Sequence, residues 1–538
     1  MSSTIVSLPN ELQLDIFHAL HDSDVDKLAN QDNLRTVTNV CRHWRQLAVN
    51  TSAFWTFIFV DENSVDLKFP FVDAYAVDGI GALHVFPWIV TLLQRSGVQP
   101  IDICVNLRSD YFDPALTEYQ NQAAFPWNIG HVLLLSRILG AHAARFRTVE
   151  IFSELWQPIQ GIATALVGVP MPLLEVWNVT RGNFQWGHRF DTDLDSGACM
   201  PAIECPVGMS PSEELNTVMY PRLRAITLQG VLQNWSQLIP RNLVSLDLSY
   251  IPLHSRPTAW ELKALLLASQ FSLESLSLWA ATPISVVGEK ITLPNLTFLS
   301  LGVSFPDTTQ GLADYLDIPS LRRLELYDMT HQNPSNFADG QAMYNTTWSL
   351  FEFLLHMVGV WPMRKLTHLT LRSPSFHLSD LDDVDAAFAD GELLEEGDLP
   401  VPLVLLFSCS SLKNLRIIDP DLGILRALVS PVRHKDIPSG VLAVPSLELL
   451  QIETTNLAYL GEFFQRNTHW CRCPPGGVTP RSVDSILLDV PPEWGGLLRT
   501  LVTNNTAKEI LNGKGYFEVG SADPSVTGAS KVFDLLSN

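Results

Sequence analysis

Two amphipathic stretches open the chain. Behind Pro9, apolar residues recur at four-residue spacing and predict a helix with one apolar face, namely Leu12, Ile16 and Leu20. Proline suits the first turn of a helix, since its missing N–H would have had no partner there. A polar, acidic interval over 21–33 predicts the end of this helix, and Asp32 or Asn33 is a candidate N-cap for a second one.

The second stretch predicts another short helix. Its apolar residues fall at helical intervals, namely Leu34, Val37, Val40, Cys41, Trp44 and Leu47. A segment of about 45 residues has a poor surface-to-volume ratio and normally needs a partner or a neighbouring domain for stability. We therefore expect this helical segment to dock on another surface.

Short motifs in this N-terminal segment resemble the F-box family. They are Leu8-Pro9, Glu11-Leu12, Ile16-Phe17, the run Val40-Cys41-Arg42-His43-Trp44-Arg45 and the closing Phe54-Trp55. The resemblance implies binding to the Skp adaptor of cullin-RING ubiquitin ligases and presentation of substrates to the ubiquitin-conjugating enzyme. The adaptor-binding residues that it implies are Leu8, Pro9, Glu11, Leu12, Ile16, Phe17, Val40, Cys41, Trp44 and Leu47.

Internal repetition dominates the rest of the chain. The pattern L-x-x-L-x-L begins at Leu243, Leu273, Leu296, Leu321 and Leu366, and looser copies begin at Phe146, Leu174, Leu223, Leu412, Leu447 and Val483. Each copy predicts a short strand whose alternate side chains enter a shared core, followed by a helical or irregular return. The prediction is an α/β chain: an N-terminal α-helical F-box followed by an irregular leucine-rich-repeat solenoid with parallel strands on its concave face.

Prolines mark the start of several copies. Pro294, Pro319 and Pro445 each precede the first leucine by two residues, where the ring breaks the preceding element without removing a ladder hydrogen bond. A doubly wound sheet is the alternative, but the returns often lack the long amphipathic helices that it needs. The combination of an F-box with irregular repeats resembles the F-box-like families of basidiomycete (mushroom-forming) fungi.

These patterns divide the chain into four segments. They are an F-box at 1–60, a linker with N-terminal capping units at 61–145, the solenoid at 146–490 and a C-terminal cap or tail at 491–538. Within the second segment, Val98–Val105 predicts a strand, while His84–Arg95 and Ile129–Ala144 predict helices. Long loops are predicted over 181–221 and 330–346.

The predicted strands also suggest a binding surface. Side chains between and just after the inward leucines face the open surface of the sheet. Aromatic residues fall there on nearby copies and are flanked by arginines, a composition common at binding hot spots. The candidate substrate-binding residues are Trp279, Phe298, Arg323, Tyr327, His368, Arg372 and Arg416. Alternatively, the aromatic side chains pack against a loop or the tail.

Composition narrows the possible partners. A net charge of −22 argues against nucleic acid, since phosphate binding needs clustered Lys and Arg. Seven scattered cysteines make a disulfide framework unexpected and favour a reducing compartment. We find neither a basic-then-apolar leader nor an apolar run of about 18 residues, so a cytoplasmic or nuclear protein without membrane contact is expected.

Two clusters contain residues with candidate chemistry. The acidic run at 380–398 fits a solvated connector better than a patch for a basic partner. His469, Cys471 and Cys473 lack the second ligand pair of a zinc site, so a loop with free thiols is expected. The sequence contains no G-x-S-x-G, P-loop or H-E-x-x-H motif, and no catalytic residue, metal or cofactor is predicted.

Three functional hypotheses follow. The leading one is a non-catalytic substrate-recognition subunit of an SCF-type cullin-RING ubiquitin ligase, whose F-box binds the Skp-type adaptor with its cullin and whose repeats bind a protein substrate. The second is a leucine-rich-repeat scaffold without a ligase role, in which the F-box only caps the array. The third is an enzyme with an active site in the long loops at 181–221 or 374–402.

Overall fold

Parallel strands in chain order, with helices between many of them, make up most of the structure. This computed structural model describes residues 8–21, 27–66, 84–109, 112–113, 116, 118–166, 168–182, 219–238, 240–252, 255–283, 288–303, 306–329, 346–374, 401–429, 431–434, 437–442, 447–453, 485–490, 516–521 and 531–533. The chain divides into two compact units, the first comprising 1–255 with 267–269 and the second 256–266 with 270–538.

The first unit begins with helices and continues as a parallel sheet. Its helices are α1 (Asn10–His21), α2 (Lys27–Val40), α3 (Arg42–Asn50), α4 (Pro87–Arg95), α5 (Glu118–Ala124), α6 (Ile129–Gly140) and α7 (Trp156–Ala165). Its strands are β1 (Phe57–Val60), β2 (Ile101–Leu107), β3 (Phe146–Ser153), β4 (Val176–Arg181), β5 (Ala225–Gln229) and β6 (Ser245–Ser249). Each strand pairs in parallel with the next one along the chain, which is the topology of a solenoid.

The second unit continues the same strand-and-return plan. Its helices are α8 (Ala259–Ala268, of which 259–266 belong to this unit), α9 (Pro306–Tyr315), α10 (Thr346–Val360), α11 (Val401–Ser408) and α12 (Leu422–Val429). The strands of its main sheet are β7 (Ser275–Trp279), β9 (Phe298–Val303), β11 (Arg323–Asp328), β12 (His368–Arg372), β13 (Asn414–Ile418), β16 (Leu449–Glu453), β17 (Ser485–Val490), β18 (Tyr516–Ser521) and β19 (Lys531–Phe533). These strands pair in that order, and all pairs are parallel except the antiparallel pair β18–β19.

Two small ladders accompany this main sheet. Strand β8 (Ile291–Thr292) pairs in parallel with β10 (Leu316–Asp317), and β14 (Pro431–His434) forms an antiparallel pair with β15 (Ile437–Leu442). Single turns of 3-10 helix lie at Ser52–Trp55, Glu62–Ser64, Ala143–Arg145, Trp235–Gln237 and Met363–Lys365.

Alternating leucines build the core beneath the strands. In β12, Leu369 and Leu371 are 1% and 2% exposed, and Leu366, which precedes the strand, is completely buried. The same three positions are buried in the other L-x-x-L-x-L copies, because side chains alternate between the two faces of a strand. A strand lies at every one of the eleven positions that the repeat predicts, so the predicted fold class, a helical N-terminus followed by solenoid-like parallel strands, is confirmed.

A left-handed residue follows five of these strands. The φ angles are 62° at Gly230, 53° at Tyr250, 48° at Ala280, 47° at Ser373 and 47° at Asp419. This backbone conformation turns the chain out of the sheet at equivalent places in different copies. Because four of the five residues carry a side chain that disfavours it, the turn has no common residue type by which the sequence reveals it.

The predicted second helix is wrong in its limits. The structure has two helices where one was expected, α2 beginning already at Lys27 and α3 beginning after Cys41. Cys41 is extended, with φ −157° and ψ 169°, and its Sγ accepts a hydrogen bond from the Trp44 N–H at 3.4 Å. A cysteine is not a usual N-cap residue, so this break is not readable from residue preferences.

The other predicted elements of the capping region are present, with shifted limits. The strand predicted at Val98–Val105 is β2, and the two predicted helices are α4 and α6. Most of each predicted long loop lies outside the described residues, as do the acidic run at 380–398 and the cluster His469–Cys473.

Candidate adaptor-binding and substrate-binding surfaces

The predicted adaptor-binding residues separate into exposed and buried groups. Pro9, Glu11, Leu12 and Val40 are exposed, Leu8, Ile16, Cys41 and Leu47 are half-buried, and Phe17 and Trp44 are buried. Leu12 is 49% exposed and Val40 is 56% exposed, so about half of each of these apolar side chains faces solvent. The exposed members can contact a partner directly, whereas the buried members act through the packing of the helices.

Phe17 and Trp44 hold helix α1 against helix α3. Their ring centroids are 5.0 Å apart in an edge-to-face arrangement, a favoured geometry for aromatic pairs. Next to this pair, the rings of His18 and Phe54 lie 4.4 Å apart. The segment therefore has an aromatic core of its own.

Two exposed leucines near the predicted adaptor-binding residues were missed by the motif. Leu20, near the end of α1, is 42% exposed, and Leu28, near the start of α2, is 38% exposed. Leu20 follows Leu12 and Ile16 at helical spacing, which was the available signal. Leu28 gave no such signal because α2 was predicted to begin after it.

A buried carboxylate fixes helix α2 to the sheet. Asp102 in β2 accepts hydrogen bonds from Lys27 Nζ at 3.0 Å and from Arg147 Nε and Nη2 at 2.9 and 2.7 Å. Its side chain is 6% exposed, and both cations are about half exposed. Burial by itself would raise the pKa of Asp102, but the hydrogen bonds from Arg147 and Lys27 hold that pKa below its ordinary value.

Further bonds connect helix α2 to the first strand and helix α3 to the 3-10 turn before that strand. The Gln31 side-chain amide donates to the Phe57 carbonyl at 2.6 Å, and the Trp55 indole donates to the Ala48 carbonyl at 2.9 Å. Lys27 also lies 5.5 Å from the centre of the Phe57 ring. The N-terminal helices and the first strands consequently form one packed structure.

The second unit presents a polar and aromatic surface, the open face, on the side of β7, β9, β11, β12 and β13 opposite the buried leucines. Strand register arranges it in three rows across the strands. The first row is Ser275, Phe298, Arg323, His368 and Asn414; the middle row is Ser277, Ser300, Glu325, Thr370 and Arg416; the last row is Trp279, Gly302, Tyr327, Arg372 and Ile418. All seven predicted substrate-binding residues lie on this face.

Three of these seven residues meet in the last row. Trp279 lies 5.5 Å from the Tyr327 ring, and the Arg372 guanidinium lies 5.4 Å from the Trp279 ring. Gly302, between them in the register, has no side chain to separate Trp279 from Tyr327, and a Cβ there would stand 2.9 Å from the Trp279 Cα. The aromatic cluster therefore depends on a glycine that the repeat pattern does not single out.

Two middle-row residues orient this cluster. The Trp279 indole donates to the buried Ser300 hydroxyl at 2.6 Å, and that hydroxyl donates to Glu325 at 3.3 Å. Glu325 also pairs with Arg372 at 2.5 Å. Trp279 and Arg372 are thus held by a shared polar network, which reduces the entropy that a ligand would have to remove on binding.

The remaining predicted residues lie apart from the cluster. The Arg323 guanidinium is exposed and lies 5.2 Å from the centre of the Phe298 ring. His368 Nε2 is 2.7 Å from the Asn414 amide nitrogen, and burial together with the positive charge of Arg323 lowers the His368 pKa. Arg416 pairs with Glu453 on the far side of the face. The seven residues therefore form an aromatic cluster, an Arg323–Phe298 pair and two outlying polar pairs.

Comparison with known proteins gives one family match. The family described as F-box-like matches residues 5–61. This chain thus carries an F-box-like domain at its N-terminus, and the match covers helices α1 to α3 and strand β1. No curated protein matches the chain.

Two further features bear on the site chemistry. Within the described ranges, no three His, Cys, Asp or Glu side chains come together in a group that could hold a metal ion. The same ranges include no helix of the length and apolarity needed to cross a membrane.

Proposed function

We propose that this chain is a substrate-recognition subunit of an SCF-type cullin-RING ubiquitin ligase. The F-box-like match at residues 5–61 carries the proposal. The F-box would bind a Skp-type adaptor, which connects it to the cullin, and the open face of the second unit would bind a protein substrate. The chain would have no catalytic residue of its own and would act in the cytoplasm or the nucleus.

Exposed apolar residues on the F-box helices support the adaptor role. Leu12 on α1 is 49% exposed and Val40 on α2 is 56% exposed, and burying them in an interface would remove apolar surface from water.

The proposed contribution to catalysis is proximity. A substrate bound to the open face is held near the charged conjugating enzyme, which converts an encounter between two molecules into a reaction within one assembly. A rigid connection between the F-box and the sheet serves that purpose, and Asp102 with Lys27 and Arg147 supplies such a connection in the first unit.

Co-purification with the Skp-type adaptor and cullin tests this proposal. Full-length chain is expected to form a stoichiometric complex, and Leu12→Asp combined with Val40→Asp is expected to abolish it. Val98→Asp is the matched control, because Val98 is 89% exposed but lies outside the F-box-like match. Point variants are preferable to deleting the F-box, because the deletion would also remove Lys27 from Asp102.

The outcomes separate two functions. If the unmodified chain and Val98→Asp form the complex but the double variant does not, the result supports the receptor proposal. A complex that contains the adaptor but no cullin favours the alternative, a leucine-rich-repeat interaction scaffold. The packing of α2 on β1 and β2 supports this alternative, since it fits a helical segment that caps the sheet. Absence of any adaptor complex with the unmodified chain would overturn the receptor proposal.

A further inference from the structure

Two separate binding features lie on the open face, near the two ends of strand β11. One is the exposed guanidinium of Arg323, stacked over Phe298 in the first row. The other is the half-buried aromatic pair of Trp279 and Tyr327 in the last row. Tyr327 lies four residues after Arg323 on β11, which corresponds to about 13 Å along a strand.

Arg323 differs in its ion pairing from the other arginines of this face. Arg372 pairs with Glu325, and Arg416 pairs with Glu453. Among the described residues, the Arg323 guanidinium meets no carboxylate. Arg323 is therefore the position on the open face where a negative group of a partner would find an uncompensated positive charge.

The second feature suits an apolar side chain. Aromatic rings offer large contact area at low entropic cost, and Trp, Tyr and Arg are the residue types enriched at interface hot spots. Here the Trp279 indole is already fixed by Ser300, and the Arg372 guanidinium is already fixed by Glu325. An apolar group placed on this cluster would gain contact without ordering the side chains that receive it.

The middle row adds no charge preference between these two features. Glu325 stands between Arg323 and Tyr327 on β11, and its charge is engaged by Arg372. Because this ion pair already compensates its own charges, a charged group of a ligand would find no free counter-charge at this level.

We propose that the open face binds an extended protein segment in which an anionic side chain lies four residues from an apolar one. Arg323 would take the anionic group, and Trp279 with Tyr327 would take the apolar group. This inference rests on the proposed function in one respect only, that the open face is the substrate-binding surface. A carboxylate and a phosphate share the required chemistry.

Binding of the full-length chain to an array of synthetic peptides tests the proposal. The probes are glycine- and serine-rich nonapeptides that carry one phenylalanine and one glutamate, phosphoserine or lysine at separations of one to six residues. Binding is expected to peak at a separation of four, with glutamate or phosphoserine and not with lysine. The stronger of these two anions identifies the group that Arg323 prefers.

Variants of exposed arginines make the test specific. Arg323→Glu is expected to reverse the preference from glutamate to lysine, because it changes the charge of an exposed side chain. Arg322→Glu is the matched control, since Arg322 is equally exposed but precedes the strand, and it should leave the preference unchanged. Trp279→Ala is expected to weaken binding of the best peptide about 10- to 30-fold.

Several results would overturn the inference. They are an array without a preferred separation, a preference that Arg323→Glu does not change, or the same reversal in Arg322→Glu. Adaptor co-purification of the Arg323→Glu variant separates the two proposals. A chain that selects the peptides but binds no adaptor refutes the ligase role alone, whereas a chain that binds the adaptor but ignores peptide spacing refutes this inference alone.

Discussion

At the scale of single residues, burial assigns different roles to positions that one motif groups together. Trp44 is 9% exposed and Leu12 is 49% exposed, although both were predicted to contact the adaptor. An indole packed edge-to-face on Phe17 contributes chiefly to the stability of the helices. A half-exposed leucine contributes little to folding and can contribute much to binding.

Trp44→Ala should therefore unfold the F-box segment before it affects any interface. We expect a loss of about 3–5 kcal/mol in the free energy of unfolding, because a large aromatic side chain leaves the core. Leu12→Asp should change that free energy by less than about 0.5 kcal/mol. Urea unfolding followed by circular dichroism measures both. Equal destabilisation by the two variants would contradict this division of roles.

His368 offers a residue-scale test of the electrostatics of the open face. Burial and the charge of Arg323 both lower the His368 pKa, while Asn414 and Thr367 contact its ring without adding charge. Arg323→Gln should raise the His368 pKa, since the positive neighbour disappears and only burial still lowers it. NMR titration of the His368 ring signal measures the shift. Arg322→Gln serves as the control, and an unchanged pKa in Arg323→Gln would show that the charge acts weakly at this site.

The sequence indicates the structural role of some of these residues but not of others. Asp102 interrupts the apolar strand Ile101–Leu107, so a buried partner was foreseeable, but its cations come from positions 75 residues before and 45 residues after it. Gly302 has a role only because register places it between Trp279 and Tyr327. Relations of this kind depend on strand pairing, which residue types alone do not determine.

At the scale of elements, the strands were predictable, whereas the limits of the helices were not. Leu369 and Leu371 show the reason, since two inward leucines separated by one residue suffice to specify a buried strand. Helix α2 shows the opposite, because its first two turns contain only two apolar residues, Leu28 and Ala29, and its start at Lys27 is stabilised by Asp102 in another element. Tertiary contacts therefore decided the helix limits.

The connection between α2 and the sheet predicts a pH dependence of stability. The folded state lowers the pKa of Asp102, so the ionised carboxylate stabilises the fold above the ordinary aspartate pKa, and this stabilisation is lost as the pH falls through the lower folded value. At pH 7, Asp102→Asn should reduce the free energy of unfolding by about 1–3 kcal/mol. The variant should also lose less stability than the unmodified chain between pH 5 and pH 3.

Asp32→Asn is the control for this prediction. Asp32 pairs with Arg35 at 2.9 Å, but both side chains are more than half exposed. An exposed pair of this kind contributes at most about 0.5 kcal/mol. If the two aspartate variants behave alike in urea unfolding at both pH values, burial of Asp102 has no special effect.

Strand packing at Gly302 predicts a second element-scale effect. In Gly302→Ala the new methyl group would collide with the Met329 sulfur and approach the Trp279 backbone, so β7 and β9 would have to shift. We expect a cost of about 1–3 kcal/mol, as for other overpacked sites, with a changed Trp279 fluorescence.

Gly359 provides the matched control for this substitution. It lies near the end of helix α10, and a Cβ there would meet no atom within 4 Å. Gly359→Ala should therefore be neutral or stabilise the chain by up to about 1 kcal/mol. Thermal unfolding distinguishes the two, and equal effects would contradict the packing argument.

At the scale of the whole molecule, the negative net charge affects the stability of the fold. The chain has 57 acidic and 35 basic residues, which leaves an excess of 22 negative charges. Mutual repulsion of these charges opposes the compact state, whereas exposed ion pairs such as Lys413–Glu448 favour it only slightly. We infer that repulsion is the larger of the two effects at neutral pH.

Added salt should consequently stabilise the chain at pH 7. Raising NaCl from 0.1 M to 1 M shortens the screening length from about 10 Å to about 3 Å, and we expect a rise in melting temperature of about 1–3 °C. At pH 5, close to the isoelectric point of about 5.0, the same addition should have little effect. A melting temperature that falls with salt at pH 7 would show that attractive pairs dominate.

The ion pair between Lys27 and Asp102 also affects how rigidly helix α2 is held on the sheet. Five steps of about 4.8 Å separate β1 from β6, so the sheet of the first unit extends about 24 Å from the strand next to the F-box helices. A tilt of about 10° at α2 would swing the far strand by about 4 Å, by the geometry of a lever arm with that spacing. The Asp102 carboxylate near this pivot therefore helps to limit how far the sheet of the first unit can tilt against the N-terminal helices.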